Sequence, residues 1–78
     1  MSNADGMTKS RRYRIIIKET LDDGWSGWFD EMQMTIETRK EGLAVTVLTG
    51  HLDQAALNGI LNRILGMNLT VLLVKQLD

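Results

Sequence analysis

The chain has 78 residues, no cysteine, and a net charge of −1 from 9 basic and 10 acidic side chains. This length allows one domain and excludes a second, and the absence of cysteine excludes disulfides and thiolate metal sites. The balanced charge argues against a nucleic-acid-binding protein, which usually carries a basic excess. No apolar run is long enough to cross a membrane, and without a secretory signal we expect a cytoplasmic protein.

The start of the chain is polar and lacks periodicity, so residues 1–10 are expected to form a disordered tail. Within it, Ser2-Asn3-Ala4 resembles the remnant of an expression tag. A single α+β domain is then expected over residues 11–78. The basic residues at the boundary form either a basic arm or, more simply, solvating charges beside an edge strand; they are Lys9, Arg11, Arg12 and Arg14.

Three strands are predicted in the first two thirds of the chain. Arg12–Thr20 alternates apolar and polar residues except at Ile16, and Met32–Thr38 alternates cleanly. Leu43–Thr49 carries apolar residues on both faces. Residues 39–42 predict a hairpin loop whose glycine supplies a positive φ. The three strands are expected to form an antiparallel meander.

A capped helix and an apolar strand follow. Asp53 is a predicted N-cap, because its carboxylate can accept from the free N–H groups of the first turn. The apolar stripe of the helix consists of Leu57, Ile60, Leu61 and Ile64. Gly66 is expected to end the helix in the left-handed conformation, and Leu69–Leu77 has the two apolar faces of a covered strand. These elements predict a two-layer α+β fold in the order β-β-β-α-β.

One helix covers only one face of a four-stranded sheet. The other face is predicted to be an apolar patch too large to leave in water, formed by Ile16, Ala44, Leu48, Leu72 and Val74. Gly59 lies in mid-helix four residues after Ala55, which predicts that this side of the helix closely approaches the sheet or a second helix. We therefore expect a homodimer whose interface includes Ile16, Leu48, Leu72, Val74 and Gly59.

Both tryptophans and the single phenylalanine lie in the segment WSGWFDE, residues 25–31. This segment is predicted to be a loop or a single helical turn, and in a helical turn Trp25 and Trp28 would share a face. The aromatic side chains either close the open end of the sheet, contact a partner protein, or stack on a planar ligand. The candidate contact residues are Trp25, Trp28, Phe29 and His51.

Other groups of polar residues give weaker signals of chemistry. His51 and Asp53 have the composition of a catalytic pair, but no nucleophile is near them in sequence and Asp53 is already expected to cap the helix. Four carboxylates around the tryptophans have a spacing that can hold a divalent ion; they are Asp22, Asp23, Asp30 and Glu31. They lack the EF-hand pattern and are expected to be solvated turn residues. The sequence thus predicts no catalytic residue, no metal and no cofactor.

Two motifs carry a resemblance to a known family. The second half of the chain contains Thr49-Gly50, the run D-Q-A-A-L at residues 53–57, Gly66 and a final apolar strand, and the first half contains W-x-x-W-F at residues 25–29. Over most of residues 13–77 this pattern resembles a family of short uncharacterised bacterial and archaeal proteins. Asn58 stands where those relatives often have histidine. The resemblance implies the same architecture and implies no activity.

Together these observations favour a non-enzymatic protein-interaction module, a homodimer with an accessory or regulatory role. Its expected partners are a second copy of the chain and another protein, with no nucleic acid and no membrane. The alternative is a small-molecule-binding protein with an aromatic pocket around Trp25 and Trp28.

Overall fold

The computed structural model describes residues 9–29 and 32–77, without the side chains of Asp23 and Ser26. The elements in chain order are β1 (Arg11–Ile17), a 3₁₀ helix called η1 (Asp23–Phe29), β2 (Gln33–Thr38), a 3₁₀ turn (Lys40–Gly42), β3 (Ala44–Leu52), α1 (Gln54–Gly66) and β4 (Val71–Gln76). The α+β class and the order β-β-β-α-β are therefore confirmed. The predicted tail lies almost entirely outside the described residues, and so do Asp30 and Glu31.

The four strands form one sheet in the order β2-β3-β1-β4, in which every neighbouring pair is antiparallel. This order differs from the predicted meander, because β1 lies between β3 and β4 instead of beside β2. The run Ile15-Ile16-Ile17 gives β1 apolar side chains on both faces, which is typical of a strand inside a sheet. The long connection through η1 lets β2 pair with the far side of β3.

The main core lies between the sheet and α1. Leu57, Ile60 and Ile64 of the helix stripe pack against buried residues of β1 and β3, namely Ile15, Ile17, Leu48 and Leu52. Leu21, Phe29 and Met32 close the same core from the connection between β1 and β2. The predicted apolar stripe of the helix is thus confirmed, and it covers one face of the sheet.

The two ends of α1 test the predicted caps. Asp53 is the N-cap, and its Oδ1 accepts from the Ala56 N–H at 2.8 Å. The prediction for Gly66 is wrong, because this residue remains in the helix and has no positive φ. Asn68 takes the left-handed conformation instead, with φ of 63°, which asparagine tolerates better than most residues. In the β2–β3 hairpin, Gly42 has the predicted positive φ, at 78°.

Thr46 of β3 is the buried polar residue of the core, with no exposed surface. Its hydroxyl donates to the carbonyl of Glu19 at 2.7 Å and accepts from the N–H of Leu21 at 2.9 Å. A buried hydroxyl with both bonds made carries no desolvation penalty from an unpaired group. The bonds also fix the segment after β1 against β3, which sets the position from which η1 begins.

Candidate functional site

The sheet face opposite α1 is defined by the register of β1. Ile16 lies across from Val47 of β3 and Leu73 of β4, and side chains directly opposite in antiparallel strands share a face. Ile16, Val45 and Val47 form a small buried cluster of their own. Because α1 packs against the opposite side of the sheet, we call the side that carries Ile16, Val45 and Val47 the open face.

Cationic side chains surround the cluster on the open face. Arg14 and Lys75 lie opposite each other on β1 and β4. Glu37 of β2 has Arg14 Nη2 at 3.2 Å from its Oε2 and Arg39 Nη2 at 3.8 Å from its Oε1. Two guanidinium groups therefore share one carboxylate, so this part of the surface is basic although the whole chain carries −1.

The second feature is the edge of the sheet at β4. Three consecutive apolar side chains are exposed there, with exposed fractions of 53% for Leu72, 39% for Leu73 and 41% for Val74. β4 has apolar residues on both faces, as predicted, and among the described residues it has a strand neighbour only on its β1 side. An exposed apolar edge strand is a surface on which other strands readily pair.

The faces of β3 and β4 are assigned differently from the sequence prediction. Leu48 was expected on the open face with Ile16, and this is wrong, since Leu48 lies across from Ile15 and is fully buried in the core under α1. Val74 also lies across from Ile15, on the helix side. Alternation gives the period of a strand but does not say which of its two faces meets the helix.

A bulge in β4 is a second reason why its residues lie on other faces of the sheet than predicted. Ile16 pairs with Leu73 whereas Ile17 pairs with Val71, so Leu72 is an extra residue in the ladder. The bulge reverses the alternation along β4, which strict period-two counting from Leu69 cannot detect. Leu73, which we had not predicted as an interface residue, is therefore the β4 residue opposite Ile16.

A cleft of about 350 Å³ lies at one end of the sheet. Its lining combines apolar and cationic side chains, namely Lys18, Arg39, Leu43, Ala44, Val45 and Leu72. Val45 is buried, whereas Leu43 and Leu72 are exposed over more than half of their surface. Lys18, Arg39 and Leu43 were not predicted as site residues; the one available signal was an apolar residue, Leu43, directly after a charged turn.

The aromatic segment forms η1, in agreement with the predicted helical turn. Phe29 is fully buried in the core, so the prediction that it is a surface contact is wrong for the single chain. Trp25 packs partly buried against the core, and Trp28 is 53% exposed. The two indole rings lie 6.3 Å apart at a tilt of 41°, as expected for i and i+3 positions of a 3₁₀ helix. Arg63 of α1 donates to the Trp28 carbonyl at 2.9 Å.

His51 and Gly59 lie apart from these features. His51 is exposed at the end of β3, across from Arg12, while Asp53 is engaged as the helix cap. Gly59 is exposed on α1, and no atom lies within 4 Å of the position that a Cβ would occupy. The predicted close approach of this side of the helix to the sheet is therefore wrong, and its approach to a second helix stays a prediction.

One carboxylate joins β1 to the start of β4. Glu19 Oε1 accepts from the Thr70 N–H at 2.8 Å and Oε2 accepts from the Thr70 hydroxyl at 3.0 Å. The bond from the Thr70 N–H is the main cause that lowers the pKa of Glu19 below its ordinary value of 4.5. The Lys18 N–H donates to the Thr70 carbonyl at 2.9 Å and continues the ladder between the two strands.

No group of three side chains that could ligate a metal lies together among residues 9–29 and 32–77. In the same part of the chain, no helix has the length and apolar character needed to span a membrane.

Comparison with known proteins gives one match. Residues 12–75 match a family model described as a domain of unknown function (DUF8691). No curated protein and no solved structure matches the chain. The match covers all four strands and the helix apart from the terminal residues of β1 and β4.

Proposed function

We propose that this chain, which belongs to the DUF8691 family, is a protein-interaction module that forms a homodimer through the free edge of β4. In this proposal the module has an accessory or regulatory role and acts by binding. The observation that supports it is the run of exposed apolar residues along an edge strand, Leu72-Leu73-Val74.

The chemistry of the edge supports strand pairing as the way in which the surface is covered. An edge strand presents backbone N–H and C=O groups that pair with another strand, and natural proteins usually protect such edges with charges, proline or a covering element. In β4 the protection within Val71–Gln76 consists of Lys75 and the bulge at Leu72, and the four residues before Lys75 are all apolar. Pairing would satisfy the backbone groups and bury the leucines together.

The symmetry of an antiparallel strand pair supports a second copy as the partner. Two identical strands that run antiparallel are related by a two-fold axis, so the same edge can serve both partners and the assembly closes at two. The product would be an eight-stranded sheet that continues the antiparallel pairing of the four strands in one chain. Small domains commonly gain stability from oligomerisation when they have no disulfide or metal.

The size of the contact sets the expected affinity. Stable interfaces bury about 1,200–2,000 Å² in total, and a single pair of six-residue strands buries less than this. At about 25 cal/mol per Å², removing several hundred Å² of apolar surface contributes several kcal/mol, which is offset in part by the lost freedom of the two chains. We therefore expect a dimer that dissociates on dilution in the micromolar range.

Sedimentation equilibrium over a concentration series tests the proposal. Leu73→Lys places a charge on the β4 edge and should leave a monomer at concentrations where the wild-type chain is a dimer. Ile36→Lys is the matched control, because Ile36 is an exposed apolar residue, 48% exposed, on the other edge strand β2. The control should dimerise like the wild type.

Urea unfolding of both variants checks that each remains folded. A wild-type chain that stays monomeric at all concentrations would contradict the proposal. A dimer that Ile36→Lys dissociates and Leu73→Lys leaves intact would assign the interface to β2.

Trp28 supports a second candidate function, the binding of a planar small molecule on the aromatic segment. Its ring is exposed beside Trp25, and the Arg63 bond holds its backbone to α1. A ligand that stacks on Trp28 should shift the tryptophan emission of the wild-type chain, and Trp28→Ala should abolish the shift without changing the dimer. Equal emission with and without a panel of metabolites would remove this candidate.

A further inference from the structure

We propose that the cleft at the end of the open face binds a small amphiphilic carboxylate, an unbranched fatty-acid anion of about six to ten carbons. The cleft is separate from the aromatic segment, and its lining residues come from the end of β1, the β2–β3 hairpin, the start of β3 and the bulge of β4. The proposal concerns a site within a single chain; Leu72 belongs both to this cleft and to the proposed dimer edge, so the test below includes a monomeric variant.

The apolar part of the cleft accounts for the tail of the ligand. Val45 is buried in the small cluster of the open face, while Leu43 and Leu72 present large exposed surfaces to the same cavity. A volume of about 350 Å³ lies within the range of cavities that hold small organic ligands. An alkyl tail would remove both leucines from water without a polar group being buried.

The charged part accounts for the carboxylate. Lys18 and Arg39 both line the cleft. The Glu37 carboxylate lies 3.8 Å from Arg39 and 3.2 Å from Arg14, so Arg39 shares this carboxylate with a closer guanidinium group. Among the residues that the structure describes, Lys18 forms no ion pair within 4.0 Å. The lining therefore carries an excess of positive charge, which a carboxylate balances and which a cationic amphiphile opposes.

The two parts together predict the pattern of specificity. Burial of each added methylene is expected to tighten binding by up to about fourfold until the cleft is full. Octanol has the same tail without the charge and should bind at least tenfold more weakly than octanoate. Octylammonium, which has the opposite charge, should not compete for the cleft.

Methyl-resolved NMR titration of the full chain with octanoate, below its micelle concentration, tests the proposal. The expected result is saturable shifts of the Leu43, Val45 and Leu72 methyl groups. Lys18→Met keeps the length of the side chain but removes its charge, and it should weaken octanoate binding about tenfold. Lys40→Met is the matched control, since Lys40 is exposed in the hairpin turn and does not line the cleft; its affinity should equal that of the wild type.

Three results would overturn the proposal: no saturable shift, octanol bound as tightly as octanoate, or equal losses in Lys18→Met and Lys40→Met. Shifts confined to Trp28, or to Leu73 and Val74, would also overturn it. The titration is repeated on Leu73→Lys, which separates this proposal from the dimer. A folded monomeric variant that binds octanoate supports a site within one chain, and one that has lost binding contradicts it.

Discussion

β1 and β4 each contain a run of apolar residues on both faces of the strand, and the two runs have opposite surroundings. Ile15-Ile16-Ile17 in β1 is buried on both faces, with exposed fractions of 0%, 7% and 0%. Leu72-Leu73-Val74 in β4 has exposed fractions of 53%, 39% and 41%. The two strands are neighbours in the sheet, so the difference comes from position, because β1 is central and β4 is at the edge.

An apolar run on both faces of a strand therefore indicates that the strand needs cover, without indicating what supplies it. In β1 the cover comes from β3, β4 and α1 within the same chain. In β4 the described residues supply it on one side only. In the proposed dimer, a second copy covers the apolar side chains of β4, whereas those of β1 are covered by its own chain.

The largest expected effect tests the contrast directly. Ile17→Ala should lower the free energy of unfolding by about 2–5 kcal/mol, because it leaves a cavity in a fully buried site. Leu73→Ala should cost about 1 kcal/mol or less in the dilute monomer, where its side chain is already partly solvated. Urea unfolding at low protein concentration measures the free energy of unfolding of both variants. Equal losses of stability would contradict the claim that the central strand is more deeply buried than the edge strand.

The next effect concerns the segment that follows β1. Thr46→Val removes the hydroxyl that joins the Glu19 carbonyl and the Leu21 N–H, and leaving these groups unpaired should cost about 1–3 kcal/mol. Thr46→Ser keeps the hydroxyl and is the control for the bond. If Val and Ser destabilise the chain equally, the loss comes from packing, and the hydrogen bonds have no measurable role.

Gly59→Ala tests whether an exposed surface other than β4 serves as the interface. Its Cβ would meet no atom within 4 Å, so alanine should raise the stability by about 0.5–1 kcal/mol through its better helix propensity. Thermal unfolding measures the gain, and sedimentation should show an unchanged dimer. A weaker dimer in Gly59→Ala would move the interface from β4 to α1.

The smallest effect concerns the bond between β1 and β4. Because the pKa of Glu19 is lowered in the folded chain, its contribution to stability is present above the unfolded pKa and is lost as the pH falls through the folded pKa. Glu19→Gln should therefore be less stable than the wild type at neutral pH, and the difference should shrink well below the ordinary pKa of 4.5. Urea midpoints at the two pH values measure this, with Glu41→Gln as a surface control. A difference that does not vary with pH would contradict the role of the ionised carboxylate.

The sequence predicted the elements of this fold better than their arrangement. The helix, its Asp53 cap and its stripe were predictable, because propensity, capping and periodicity are local properties. The central position of β1 was not, since it follows from the pairing of β1 with β3 and β4, which is a long-range property. Ile16, the one departure from alternation in β1, was the residue that carried this information.

The candidate site was predicted in part for the same reason. Leu72 and Val74 were identified as surface residues that need cover, because their apolar character is visible in sequence. Leu48 and Val74 were placed on the wrong face and Leu73 was not identified, since the face of β3 depends on its register with β1 and the face of β4 depends on a bulge. The cleft brings Lys18 and Arg39 together from distant positions, and no local pattern records that proximity.

Amide hydrogen exchange at two protein concentrations tests whether the edge of β4 pairs with a second copy. Amides of Val71–Gln76 that point away from β1 should exchange more slowly at high concentration, while the amides of β1 should exchange at rates that depend only on unfolding. The same β4 amides should lose this protection in Leu73→Lys. Protection of β4 that does not change with concentration would contradict the pairing of its edge with a second copy.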